Sequence, residues 1–225
     1  MFESLVASSS PFIDWTWINT NSSVIIDALE QHAELTGIAI GCGLGVSLPI
    51  ALLAWRYRIT RTAVLGFAGL LYTIPSLALF VLIQPLTGYF SLLTAEVALV
   101  GYTLLILVRN LLTGLDAATA EVREAATAMG YTATGAMARV YLPLALPALF
   151  AGLRVATVTV VGLVTITAFV GWGGLGQVII TGFHENFYTP IIVGLVLSVA
   201  LAALGDAMFV VLERVTVRWS RSRNA

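Results

Sequence analysis

An all-α membrane protein of about five transmembrane helices, with its N-terminus outside and its C-terminus inside, is the fold class this sequence predicts. Three observations carry that reading: an oily composition, a series of charge-free runs, and arginines confined to alternate connections. Hydrophobic residues make up 59% and charged residues 10% of the 225 residues, and mean hydropathy is +0.96. A soluble domain averages roughly 25% charged residues. Too little polar surface is present here to cover a water-soluble globule.

The spans follow from where charge is missing. A hydrocarbon core of ~30 Å takes about 20 apolar residues per helix. Residues 35–55 carry no charge and form the first span. Residues 62–95 are also uncharged but are broken at Gln84-Pro85 and Gly88-Tyr89, which divides them into spans at 62–84 and 91–112. The third span holds Glu96 and Arg109 toward its ends. Two further charge-poor runs place spans at 145–170 and 189–212. The transmembrane domain is thus 35–212, with an extracytoplasmic lead-in at 1–34 and a basic cytoplasmic tail at 213–225. In the lead-in, residues 24–35 are predicted as a short helix on the outer surface, with Trp15 and Trp17 at the headgroup boundary. Gly37, Gly41 and Gly45, spaced four apart, predict a face for close helix approach. Pro49 and Pro75 each remove a backbone donor and predict kinks.

Orientation follows from arginine, because cytoplasmic connections are enriched in basic residues. Arg56, Arg58 and Arg61 fall in the first inner loop, and Arg109, Arg123 and Arg139 in or beside the second. Arg214, Arg218, Arg221 and Arg223 belong to the tail. The outer segments hold Glu3, Asp14, Asp27, Glu30, Glu34 and Glu185 instead.

Several functions are excluded by residue type. All 11 basic residues are arginine. A Walker A phosphate loop needs a lysine to reach the terminal phosphates, so this chain does not bind ATP in that way. The single cysteine, Cys42, admits neither an intramolecular disulfide nor a Cys-based zinc cluster and reads as an apolar filler. A net charge of −1 argues against nucleic acid as a partner. No catalytic residues and no metal ligands are assigned.

The longest polar interruption, residues 113–143, lies in the cytosol by this orientation. Its first half is alanine-rich and helix-favouring, Gly130 is placed to end that helix, and Thr132 is placed to cap a second one running to about Tyr141. Small residues at Ala117, Ala118, Ala125 and Ala126 predict a surface that another protein approaches closely, with Glu124 and Arg139 available for polar contacts. From the residues alone this is a docking helix pair or a plain connection.

Within it, Glu124-Ala125-Ala126, three residues, Gly130, nine residues, then Val140-Tyr141-Leu142-Pro143 resembles the EAA loop of ABC-importer permeases. Val140 stands where that pattern has isoleucine, a swap that keeps shape and apolarity. The stretches Thr73-Ile74-Pro75-Ser76-Leu77-Ala78-Leu79, Arg109-Asn110, Leu142 to Pro147, Ala151 to Arg154, and Gly171-Trp172-Gly173-Gly174-Leu175-Gly176 are similar to the glycine betaine/carnitine/choline branch of those permeases. The resemblance implies a type I, MetI-like importer permease in a bacterial cytoplasmic membrane, carrying a small osmoprotectant such as a quaternary ammonium or zwitterion. It implies that Glu124, Ala125, Ala126, Gly130, Val140, Leu142 and Pro143 couple the chain to an ATP-binding subunit. It further implies two copies of that subunit, which hold the ATP and Mg, a second permease copy or paralogue, and a separate solute-binding protein.

For the pathway or a gate, Pro75, Ser76, Arg154, Gly171, Gly173, Gly174 and Gly176 are the candidates. Gly171 to Gly176 also fits a dinucleotide fingerprint. That reading is rejected, because the fingerprint needs a soluble strand–helix unit around it, and either a flexible turn near an outer gate or a tight turn with no gating role takes its place. A charge at a span centre costs roughly 2.5–3.5 kcal/mol, so Arg154 is expected to face the bundle interior, to snorkel to the inner interface, or to meet a partner such as Asp206 or Glu124. The rival function is a carrier or channel driven by an ion gradient. Such proteins need acidic or polar side chains at mid-membrane, whereas the first two spans hold no charged residue and the later ones few.

Overall fold

The computed structural model describes residues 12–217, and within them the chain is helical almost throughout. Glu3, Arg218, Arg221 and Arg223, and with them most of the basic tail, lie outside the described residues. In order, the elements are α1 (Trp15–Thr20), α2 (Ser22–Arg56), α3 (Arg58–Thr73), α4 (Ser76–Thr87), α5 (Leu92–Asp116), α6 (Ala120–Ala128), α7 (Ala133–Ala136), a π-helical turn (Met137–Tyr141), α8 (Leu142–Thr167), a 3-10 turn (Ala168–Val170), α9 (Leu175–His184) and α10 (Tyr188–Thr216). Among the described residues, four of these stretches are long and apolar enough to cross a membrane, and the bent pair of α3 with α4 makes a fifth when the two are counted as one broken span.

Lipid is as apolar as leucine, so helices in a bilayer associate through close packing rather than through exclusion of water. Helix α5 is the centre of that packing. Leu99, Leu107, Leu111, Leu112 and Leu115 are fully buried on it, and it lies between α2 and α8. Small residues set the spacing. A Cβ on Gly114 would fall 2.7 Å from the Ala145 carbonyl oxygen, and one on Gly152 would fall 2.7 Å from Asn110 Cβ.

The structure departs from several sequence expectations. The lead-in helix is not separate, for α2 runs unbroken from Ser22 to Arg56 over 35 residues. At 1.5 Å per residue that is about 52 Å, well beyond a ~30 Å core. Asp27, Glu30 and Glu34 sit exposed on its outward side while Ile25, His32 and Leu35 are buried. The charges that looked like a boundary are one polar stripe on a continuous helix.

The kink expected at Pro75 is present, but it is a full break rather than a bend within one helix. The second span breaks at Ile74-Pro75, and α3 and α4 meet at 104°. Proline disfavours helical backbone in the residue before it, and Ile74 is extended, with φ −66° and ψ 129°. The Ile74 carbonyl, left without a helical donor, accepts a 2.6 Å hydrogen bond from the Tyr102 hydroxyl on α5.

The second helix of the polar loop does not stop before Pro143. Residues 133–170 form one continuous helical stretch. The π-turn explains it. A helical proline clashes with the carbonyl four residues back, and here the backbone widens just before it, so that the Leu142 N–H reaches Met137 O instead.

Finally, no helix of this chain packs on the Gly37/Gly41/Gly45 stripe, since a Cβ at each would meet open space. Gly43 is the glycine of this helix that admits a neighbour, Thr103 of α5. Cys42 beside it is exposed rather than a filler.

Candidate functional site

The EAA-like residues gather at the end of the bundle where α2 ends at Arg56, α5 ends at Asp116 and α8 begins at Leu142. Helix α5 ends at Asp116, and α6 follows after one turn. Its C-terminus closes in a Schellman motif: Tyr131 N–H donates to Ala126 O at 3.1 Å, and Gly130 N–H donates to Thr127 O at 2.9 Å. Gly130 has φ +80°, the left-handed region where a Cβ is costly. Thr132 then caps α7, its hydroxyl accepting from Gly135 N–H at 3.2 Å. The end of α6 and the start of the next helix stand where Gly130 and Thr132 place them, although that next helix is not short but continues into α8.

Which alanines face outward differs from the expectation. Ala125 and Ala117 are exposed, but Ala118 and Ala126 are buried against the chain's own bundle. A helix of nine residues has only one free side. Glu121, Glu124, Ala125 and Ala128 lie on that side. The Thr119 hydroxyl and its own backbone N–H hold the exposed Glu121 carboxyl below the usual glutamate range. Past the elbow, Met129 is 67% exposed, an apolar side chain standing free at the tip. A groove of about 470 Å³ runs along the elbow between Gly130, Tyr131, Gly135 and Arg139. Val140, Leu142 and Pro143 are half-buried on the continuous run into α8.

A cluster that sequence reading missed ties this handle to the spans. Arg123 of α6 donates from Nε to Ala118 O at 2.9 Å, and its guanidinium lies 4.8 Å above the Trp55 ring at the end of α2. Trp55 in turn meets Tyr141 of the π-turn at 5.5 Å between ring centres. One indole therefore joins three elements, α2, α6 and the helix leading into α8. Beside it, Arg61 of α3 pairs with Asp116 at 2.7 Å. The sequence signal for this was faint: a lone Trp at an arginine-rich span end, which reads as an interfacial anchor.

The pathway candidates do not form one site. Pro75 and Ser76 mark the α3–α4 bend. Arg154 lies midway along α8 and donates from Nε and Nη2 to the two carboxylate oxygens of Asp206 on α10, at 2.7 and 3.0 Å. The glycines of 171–176 form the turn at the far end of the bundle from α6, between α8 and α9.

That turn is packed. Gly173, Gly174 and Gly176 are buried. A Cβ on Gly174, which has φ +48°, would sit 2.7 Å from His32 Cβ, and one on Gly176 would sit 2.7 Å from Thr165 Cα. Gly174 N–H donates to Gln31 Oε1 at 2.8 Å. Trp172 Nε1 donates to Phe90 O at 2.8 Å, fastening the turn to the α4–α5 connection. Thr167 also donates its hydroxyl to Trp172 O. These glycines permit close approach rather than loose motion. Beyond the turn, α9 packs on α10, and α1 leans on the start of α10 through an edge contact of Trp17 with Phe187 and a 2.8 Å bond from Asp14 N–H to Thr189 Oγ1.

Comparison with known proteins agrees with this geometry. The family model described as "Binding-protein-dependent transport system inner membrane component" matches residues 37–218. The chain is 35% identical over 190 residues to the osmoprotectant import permease protein OsmW of Salmonella typhimurium, covering 83% of this chain and 88% of that one. It is 33% identical over 201 residues to the glycine betaine/carnitine/choline transport system permease protein OpuCB of Bacillus subtilis, covering 88% of this chain and 91% of that one. Among solved structures it is similar to a chain of the MetNI methionine ABC transporter in an inward-facing conformation, with a TM-score of 0.78, 24% identity, and coverage of 87% of this chain and 97% of that one.

Proposed function

The chain belongs to the family of binding-protein-dependent transport system inner membrane components, and from that premise we propose that it moves a small quaternary ammonium or zwitterionic osmoprotectant across the cytoplasmic membrane, driven by ATP hydrolysed in a separate subunit. A multi-pass permease of an ABC importer is the function its relatives share. The ion-gradient carrier has no support among them. The solute class rests on the relatives' own specificities, which include choline and carnitine as well as glycine betaine.

The observation that carries the mechanism is the Trp55 junction beneath the EAA-like elbow. In this proposal two ATP-binding subunits, holding ATP and Mg, each grip one α6–elbow handle by its exposed face around Glu124, Ala125 and Gly130. Val140, Leu142 and Pro143 lie where the grip passes into α8. Two permease copies, identical or paralogous, enclose the path, and a binding protein delivers solute from outside, with the chain's N-terminus on that side. Closure of the ATP-binding pair displaces α6. The displacement passes across the Gly130 elbow into the continuous helix 133–170, and through Arg123 and Trp55 into α2. The α3–α4 bend at Pro75 and Ser76 and the turn at Gly171, Gly173, Gly174 and Gly176 are proposed to shape the outer mouth of the path. The test is Glu124→Arg in the assembled complex in proteoliposomes. Uptake and solute-stimulated ATP hydrolysis should fall together by about tenfold or more, the scale of a reversed charge at a buried interface. Survival of both would defeat the coupling role.

A further inference from the structure

Two grooves flank the line along which α8 meets α10. One, of about 570 Å³, opens between α2, α8 and α10 and is walled mainly by apolar residues and glycines, with Thr36 and Thr157 among them. The other, of about 410 Å³, is lined by Ala151, Arg154, Val155, Val158, Thr159 and Asp206. The two charged side chains in the second groove are 39% and 33% exposed. Charged groups within a span face a protein interior or a water-filled cavity rather than lipid. This face of the α8–α10 pair is therefore turned toward water or protein.

The chemistry of the pair is specific. Arg154 commits Nε and Nη2 to Asp206, which leaves three of the guanidinium's five N–H donors free. Asp206 accepts one bond on each oxygen and keeps lone pairs on both. Glu213, two turns further along α10, adds a second carboxylate within electrostatic reach of the arginine. Arginine and aspartate together are neutral, so the pair holds neither a simple cation nor a simple anion strongly. It complements a molecule that carries both charges. A carboxylate fits the free edge of the guanidinium as a planar fork. A quaternary ammonium donates no hydrogen bond, so it needs only a nearby negative charge and apolar walls. Asp206 supplies the charge, and Ala151, Val155 and Val158 supply the walls.

We infer that Arg154 and Asp206 are a contact site for a zwitterionic solute in transit, the guanidinium receiving its carboxylate and Asp206 facing its quaternary ammonium. This site rests on the osmoprotectant reading above. The test uses the complete transporter in proteoliposomes, with radiolabelled glycine betaine and choline, which share the trimethylammonium group but differ in that choline has no carboxylate. Arg154→Gln should lower betaine uptake about tenfold relative to choline, as expected when one oriented charged hydrogen bond is lost. Arg154→Lys should recover part of that ratio, and Asp206→Asn should lower both solutes. The ratio is read within one preparation, so partial misfolding does not alter it. If Arg154→Gln lowers both solutes equally, or neither, the pair is a structural contact and the site is overturned while the transport reading stands. If the unmodified complex carries neither compound, the solute class fails, and this site fails with it.

Discussion

Two glycine-bearing turns lie at opposite ends of the bundle, under opposite constraints. At the Gly171–Gly176 turn, backbone from α2 and α8 closes around the glycines, so that added Cβ atoms on Gly174 and Gly176 would overlap neighbours. At the α6–α7 elbow, Gly130 has φ +80° and open space around it. The first glycine set serves packing, and the second serves only the backbone conformation. A turn walled in by backbone cannot move without repacking its neighbours, whereas a turn that projects with one side bare is free to be held by something else. The same motif-rich residue type thus marks a structural joint at one end and a handle at the other.

Gly176→Val sharpens the contrast most. Overpacking against Thr165 should cost about 3 kcal/mol or more, lowering the unfolding midpoint of the detergent-solubilised protein. Gly130→Ala in the same assay pays only for the left-handed backbone, about 1 kcal/mol. Equal losses would erase the distinction between joint and handle. A smaller effect is expected at the junction beneath the elbow. Trp55→Ala removes a cation–π contact and an aromatic pair, together about 2 kcal/mol. The helix bundle should hold, while residues 117–131 become faster to cleave by protease and less solute moves per ATP hydrolysed. Unchanged proteolysis would mean that α6 is held by something other than Trp55.

Much of this was legible in the sequence because it is local. Gly130 and Thr132 declare a helix end and a helix start by residue type, and both the Schellman motif and the cap are present. Arg154 at mid-span called for a counter-charge, and Asp206 on the last span was one of the candidates; the structure pairs the two. What stayed hidden depends on neighbours distant in sequence. The polar stripe of Asp27, Glu30 and Glu34 reads as a span boundary until the buried face of Ile25, His32 and Leu35 is seen behind it. Pro143 reads as a stop until the π-turn before it removes the clash. Pro75 predicts a kink, but the 104° bend also needs Tyr102, 28 residues away, to satisfy the carbonyl it frees. Short α9 lies inside a run that hydropathy treats as connection, and Trp55 reveals its role only once Arg123 and Tyr141 are placed around it.

The central claim is that the bare side of α6 is a grip for an ATP-binding subunit. A cysteine at the exposed Ala128, in a Cys42→Ser background and in the intact complex, tests it directly with a short bifunctional thiol cross-linker. The account predicts a covalent product between this chain and the ATP-binding subunit, with a yield that changes when ATP is added. No such product, together with labelling of that cysteine by a membrane-impermeant thiol reagent applied to the outside of intact cells, would contradict it.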